Sequence, residues 1–245
     1  MVWVYYDESG EYDDNGKIIN MTVGGCVSTS EKWKSFDVEW RLFLENEGLP
    51  NFHMTDFEKW RPPFDFMLPD GQRDKAKHNR ILNTVLEIIL RNVEGFYAYG
   101  AVSAVFPERE INHERLMHDC VGGAIKDVFL RVAGDYDEPL NLVFGRQPHF
   151  PASKIDRYVE IWSYGPNDGR VASVSHCATS SIPALQAADV LAYEMARAQR
   201  ANRPERYPFQ QLIDGAKARG IPFSITWGPI RSRRVNLSGQ GDSWG

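Results

Sequence analysis

The sequence predicts an α/β fold: a mixed central sheet of about five strands flanked by helices. Three features support this. Short runs rich in β-branched and aromatic residues recur along the chain, separated by longer segments whose apolar residues fall at helical spacing. The opening run, Val2–Tyr6, is apolar throughout, as a strand buried on both faces would be. The implied order, β-β-α, then β-α, then β-α-β-α, suits one mixed sheet with helices packed on it.

The elements follow in order. Residues 2–6 form the first strand, which runs into Asp7-Glu8-Ser9-Gly10 and a polar loop to about Lys17. Residues 18–27 read as its hairpin partner, with Gly24-Gly25 inside it marking a bulge or close packing. Ser28 followed three residues later by Glu31 is a capping-box pattern, so a helix is expected from about 30 to 47, ended by Gly48. Residues 50–56 look like a short extended piece, and Pro62, Pro63, Pro69 and Gly71 mark a loop. Ile81, Val85, Ile88 and Ile89 place a helix over 73–94. A third strand over 96–104 precedes Pro107, which suits the first turn of a long helix ending near Gly134. A fourth strand is expected over 139–144, a helix over Lys154–Ser163, a turn cluster over 165–169 and a fifth strand over 171–176. Pro183 opens a helix to about 199, another spans 207–219, and a short strand lies near 222–226. The Gly- and Ser-rich residues 237–245 read as a flexible tail.

Composition narrows the function. The chain has 245 residues, 42% of them hydrophobic and 25% charged, enough for a sizeable core without cross-links. Its net charge of −5 argues against a general nucleic-acid coat, which would be basic. It leaves room for an acidic metal site. Arg231, Arg233 and Arg234 form the densest basic cluster and read as a solvated end. Cys26, Cys120 and Cys177 are odd in number and form no CxxC pair, so a reducing, cytoplasmic setting is expected. The opening MVWVYYDESG has no basic n-region, and no apolar run approaches the roughly 20 residues that span a bilayer, so neither a signal peptide nor a membrane partner is expected.

Two acids stand in apolar settings. Asp7 closes the first strand and shares a face with Trp3 and Tyr5, while Glu8 points the other way unless the chain turns there. The rim of a central strand is a common place for a site, although Asp-Glu-Ser-Gly is also good turn chemistry. Asp189 lies in Leu185-Gln186-Ala187-Ala188-Asp189-Val190-Leu191-Ala192. On a helix it faces the core with Leu185, Ala192 and Ala196, and Gln186 and Tyr193 share its side. An unpaired buried carboxylate costs several kcal/mol, so Asp189 needs a cation or strong donors. A metal shared with Asp7 would serve, as would a buried Arg, Tyr or backbone amide. Glu194, about 140° round the helix from Asp189, is expected in solvent. His53 and Asp56 fall in the Pro-flanked extended piece, where a histidine beside a metal suits general base or ligand chemistry. Ser9 and Gln186 are candidates for contacting substrate. There is no GxxxxGK[ST] or GxSxG, and His113 and His118 miss the HExxH spacing.

Asp7-Glu8-Ser9 after an apolar strand, the Gly-Gly second strand, His53, and Gln186 with Asp189 form an ordered set. Over about residues 2–215 this set resembles the domain-of-unknown-function 3800 family, which is similar to ribonuclease H-like proteins. The resemblance implies a single ribonuclease H-like domain over 1–236 with helical insertions. It also implies a metal site formed by Asp7 and Asp189. Oxygen ligands suit Mg2+ or Mn2+, and the expected activity is a divalent-metal-dependent nuclease using Asp7, Glu8, His53 and Asp189, with nucleic acid as partner. The alternative is a non-catalytic module of the same fold that binds a protein or nucleic acid. The sequence departs from the ribonuclease H pattern twice. Gly145 follows the fourth strand where an acid is usual, and a helix separates strands two and three.

Overall fold

The computed structural model describes residues 1–12, 18–102, 113–136, 138–146, 151–163, 169–198 and 207–228. Among these residues six strands form one sheet: β1 (Val2–Tyr12), β2 (Ile18–Thr29), β3 (Gly95–Val102), β4 (Leu140–Gly145), β5 (Val171–Cys177) and β6 (Phe223–Gly228). Their order is β5-β4-β1-β2-β3-β6. β1, β2 and β3 make an antiparallel meander, β4 and β5 extend it in parallel from β1, and β6 runs parallel to β3. This is the expected mixed α/β sheet, and its sixth strand is the short one expected near 222–226. Three helices stand between β2 and β3: α1 (Ser30–Glu47), α2 (Met54–Glu58) and α3 (Lys75–Asn92). α4 (His113–Asp135), α5 (Ala152–Ser163), α6 (Pro183–Ala198) and α7 (Tyr207–Ala218) complete the described helices.

The sheet separates two apolar cores. On one face Val2, Val4 and Tyr6 of β1 pack with Leu116, Ile125 and Phe144 beneath α4 and α5. On the other, Trp40, Phe52, Phe57 and Leu191 belong to a core built from α1, α2, α3, α6 and α7, with Trp3 and Tyr5 against it. α6 lies directly on β1 and β2 because small residues permit it. A Cβ at Gly24 would sit 2.7 Å from the backbone nitrogen of Ala192 and 3.1 Å from the carbonyl oxygen of Ala188. Thr22 Oγ1 donates to the Ala192 carbonyl at 2.7 Å, and Asn20 Nδ2 to that of Ala196 at 3.2 Å, which pins the helix along β2.

Four local expectations are corrected. β1 continues to Tyr12, so Asp7 lies inside a strand. The antiparallel partner β2 carries it on after the parallel pairing with β4 stops at Tyr6–Phe144. Ser28 does not cap α1. It belongs to β2, its hydroxyl donates to the Asn92 carbonyl at 2.7 Å, and Thr29 is the N-cap without a side-chain bond. Residues 54–58 are helical rather than extended. Glu194 is buried, because α6 is covered by the sheet on one side and by α1, α2 and α7 on the others, so every residue from Pro183 to Ala196 is buried. Gly48 ends α1 at φ 67°, as expected of a left-handed helix terminus. Pro107, the turn residues 165–168, the cluster Arg231, Arg233 and Arg234, and the tail 237–245 lie outside the described residues. Among the described residues no helix is long and apolar enough to cross a membrane.

Candidate functional site

β1 alternation turns Asp7 toward α6, on the face of Trp3 and Tyr5. Asp7 is also the first residue of β1 beyond its pairing with β4, so its carboxylate emerges beside Gly145. That glycine leaves the carboxylate room. A Cβ there would overlap Asp7 Oδ1 and lie 3.0 Å from Thr179 Oγ1. The missing fourth-strand acid therefore has a physical counterpart, since Gly145 makes the space that the Asp7 carboxylate occupies. Thr179, just after β5, donates its hydroxyl to Asp7 Oδ2 at 3.0 Å, and the Glu8 amide donates to Asp7 Oδ1 at 3.1 Å. The chain does not turn at Glu8, which pairs with Val23 in the hairpin. Both residues nonetheless line a small recess with Gly145 and Phe144.

Asp189 reaches the same place from α6. Gly24 is paired with Asp7 across the hairpin and touches the backbone of Ala188 and Ala192, which sets Asp189 at the level of Asp7. Asp189 is 4% exposed, and its Oδ2 accepts from the Met54 amide at 2.7 Å. That amide belongs to the first residue of α2, where a helix leaves its N–H groups without internal partners. One turn earlier, Gln186 Oε1 accepts from the Phe52 amide at 2.8 Å and from Trp40 Nε1 at 2.9 Å, while its Nε2 donates to the Ser180 carbonyl at 3.3 Å. Alternate amides of an extended chain point the same way, and helix positions i and i+3 share a face. The Gln186–Asp189 spacing thus clamps residues 52 and 54 and holds His53 between them.

His53 is half-buried. Its Nδ1 lies 2.8 Å from Asp56 Oδ2 and its Nε2 lies 4.0 Å from Asp189 Oδ1. Asp56 is also held by Arg61 Nη1 at 3.3 Å. With Nδ1–H donated to Asp56, Nε2 is the nitrogen left facing the acids.

The electrostatics mark the cluster. Burial, then the charges of Glu8 and Asp189, lift the Asp7 carboxyl well above its usual range, against the pull of the Thr179 hydroxyl. Burial pushes Glu8 up to about 7, its bond to Asp7 opposing and the Asp189 charge adding. Burial raises Asp189 to about 6, although His53 and the Met54 amide work the other way. Burial disfavours the His53 imidazolium, yet Asp189, the bond to Asp56, the Asp56 charge and Asp7 together hold its pKa above the ordinary value. Among the described residues no three His, Cys, Asp or Glu side chains converge as a ready-made cage for an ion.

Asp7 and Glu8 are thus neighbours on β1, His53 Nε2 faces Asp189 Oδ1, and the charge of Asp189 is felt by Asp7 and Glu8. Ser9, two residues past Asp7 in β1, pairs with Thr22 across the hairpin. Gln186, expected to contact substrate or orient a carboxylate, is 1% exposed and its amide is committed to Trp40, Phe52 and Ser180. Thr179 and Gly145 complete the Asp7 seat and were not foreseen as site residues.

No family model and no curated protein sequence matches the chain. Among solved structures it is similar to the ribonuclease H2 from Pyrococcus horikoshii OT3, at 11% sequence identity and a TM-score of 0.44. That similarity covers 90% of this chain and 89% of that one.

Proposed function

We propose that the chain is a divalent-metal-dependent nuclease that cleaves phosphodiester bonds. One observation supports this above the others. Burial raises the pKa values of Asp7, Glu8 and Asp189 alike, and the Asp189 charge adds to the rise at both Asp7 and Glu8. Such a cluster is costly without a positive charge in its midst. The donors are all carboxylate oxygens, which fit a hard cation such as Mg2+ or Mn2+, with Asp7 and Asp189 to hold it and Glu8 beside Asp7. Mg2+ is commonly held by one or two carboxylates, with waters and substrate phosphates filling the remaining positions, so a complete protein cage is not needed. When bound, the ion supplies Lewis acidity at a phosphate oxygen and lowers the pKa of water.

The chain's own groups have separable tasks in this reading. The Thr179 hydroxyl and the Glu8 amide orient the two oxygens of Asp7. The Met54 amide takes one oxygen of Asp189 and leaves Oδ1 toward His53. His53, fixed through Nδ1 on Asp56, takes or returns a proton at Nε2. Gln186 holds the segment that carries His53, and Ser9 contacts substrate from the Asp7 side of β1.

The test is a cleavage screen of single- and double-stranded DNA and RNA with Mg2+ or Mn2+. Turnover lost in Asp7→Asn and in Asp189→Asn, with both variants folded, supports the proposal. A competing reading, a non-catalytic module of the same fold that binds a protein or nucleic acid, is favoured by Gly145 standing where an acid is usual after the fourth strand. Nucleic-acid binding without turnover under any divalent ion would decide for it.

A further inference from the structure

Next to the acids lies a feature that the proposed chemistry does not use. α2 closes at Trp60, whose φ of 53° is left-handed backbone that a bulky residue rarely adopts. Two amides close the turn: Trp60 N–H donates to the Phe57 carbonyl at 3.1 Å, and Arg61 N–H to that of Asp56 at 3.0 Å. The conformation lays the indole on the His78 ring, with centroids 4.3 Å apart and planes 10° apart. His78 lies in turn on Phe57, at 3.7 Å and 14°. The Arg73 guanidinium covers the indole at 5.0 Å. Four flat groups therefore form one column, with Phe57 at its buried end and exposed Arg73 at its solvent end.

The surroundings are basic. From Lys59 to Arg80 the chain carries Lys59, Arg61, Arg73, Lys75, Lys77 and Arg80 against Asp65, Asp70 and Asp74, in a protein of net charge −5. Arg61 and Arg80 are paired with Asp56 and Glu47, whereas Lys59, Arg73 and Lys75 form no ion pair among the described residues. The ledge adjoins the acids through Arg61, which binds the same Asp56 carboxylate that holds His53.

We propose that this ledge binds single-stranded nucleic acid, with a base stacked on the Arg73–Trp60 end of the column and phosphates on Lys59 and Lys75. The proposal rests on the nuclease reading above and names the form of its substrate. A planar guanidinium backed by an indole offers a stacking surface, and only unpaired, splayed bases can use one. A duplex keeps its base faces covered. The free cations supply the attraction for a polyanion that the acid cluster alone would repel.

The experiment measures fluorescence anisotropy of the whole protein with a labelled oligothymidylate of about 20 nucleotides, and with the same strand annealed to its complement. EDTA is present throughout, so nothing is cleaved. The expected result is single-strand binding at least about tenfold tighter than duplex binding. Arg73→Gln with Lys75→Gln is expected to weaken it about tenfold and to flatten its salt dependence by about one to two charges. Both side chains are exposed, so the double variant keeps its fold, and an unchanged melting temperature checks this. Trp60→Leu, which removes the indole that backs the Arg73 guanidinium, is expected to weaken binding without changing the salt slope. Equal affinity for strand and duplex, or an unchanged affinity in the double variant, overturns the proposal. A protein that binds as expected but never cleaves loses only the nuclease reading. One that cleaves in an Asp7-dependent way but ignores the loss of these cations loses only the ledge.

Discussion

Asp189→Asn in metal-free buffer separates a functional carboxylate from a structural one. The folded protein raises this group from 3.8 to about 6, and at about 1.4 kcal/mol for each pH unit its ionisation costs the fold on the order of 3 kcal/mol. For an acid whose folded pKa lies above the unfolded one, the associated stability is fully present below 3.8 and is lost as pH rises through about 6. Asparagine keeps an oxygen for the Met54 amide and never ionises. The variant should therefore match the wild type near pH 4 and exceed it by up to about 3 kcal/mol at pH 8, measured by urea denaturation in EDTA. For a chain of this length that is roughly 2–4 °C of melting temperature per kcal/mol. Adding Mn2+ should reverse the order. A cation at about a thousand times its dissociation constant stabilises the wild type by about 4.1 kcal/mol, and the variant should gain almost nothing. A variant less stable than the wild type at pH 8 in EDTA would refute the reasoning, since Asp189 would then be a hydrogen-bond acceptor whose charge the fold needs.

Other expectations are more local. Gly145→Ala should cost about 1–3 kcal/mol and remove most of the Mn2+-induced rise in melting temperature, because the new methyl group overlaps Asp7 Oδ1. An unchanged Mn2+ response would separate Gly145 from the site. Gly24→Ala should cost about 3 kcal/mol or more by chemical denaturation, since its Cβ would meet backbone 2.7 Å away that has no rotamer to yield. Gly122→Ala on α4, where no described atom lies within 4 Å, should instead stabilise by up to about 1 kcal/mol. Gln186→Leu should cost about 2–5 kcal/mol by leaving the Phe52 amide and Trp40 Nε1 without their acceptor, and should speed hydrogen exchange at Phe52. Slow exchange at Phe52 in that variant would show that the clamp is not what orders the segment.

What the sequence revealed, and what it hid, follows from the range of each interaction. Asp7 and Asp189 were legible because each is an acid in a locally apolar run, and burying a charge calls for an explanation that the neighbouring residues already demand. Gly145 and Thr179 were not, because their roles exist only where β4 and β5 end beside β1, and Thr179 is 172 positions from the carboxylate it binds. The five residues of α2 are too few to show a period, and what starts that helix is Asp189, 135 positions away. Ser28 fits a capping box locally but serves β2 and the Asn92 carbonyl instead. Glu194 was misjudged by assuming that a helix has one wet face. Residues 183–196 carry apolar side chains on all sides, which is the mark of a helix buried all round. That signal was present in the sequence, and the angle from Asp189 obscured it.

The pairing of Gln186 with Asp189 also bears on whether the acid is there for chemistry. Both residues accept amides from the segment around His53, so the i, i+3 spacing is accounted for by the clamp alone. A clamp does not need a charge. An amide at position 189 would accept the Met54 N–H as Gln186 accepts that of Phe52, and without an ionisation penalty in a site that is 4% exposed. What the carboxylate adds is its second oxygen, 4.0 Å from His53 Nε2, and a negative charge felt by Asp7, Glu8 and His53. The costlier residue occupies the position although the cheaper one would satisfy every backbone bond there, and the proposed cation would be the partner that turns that cost into binding.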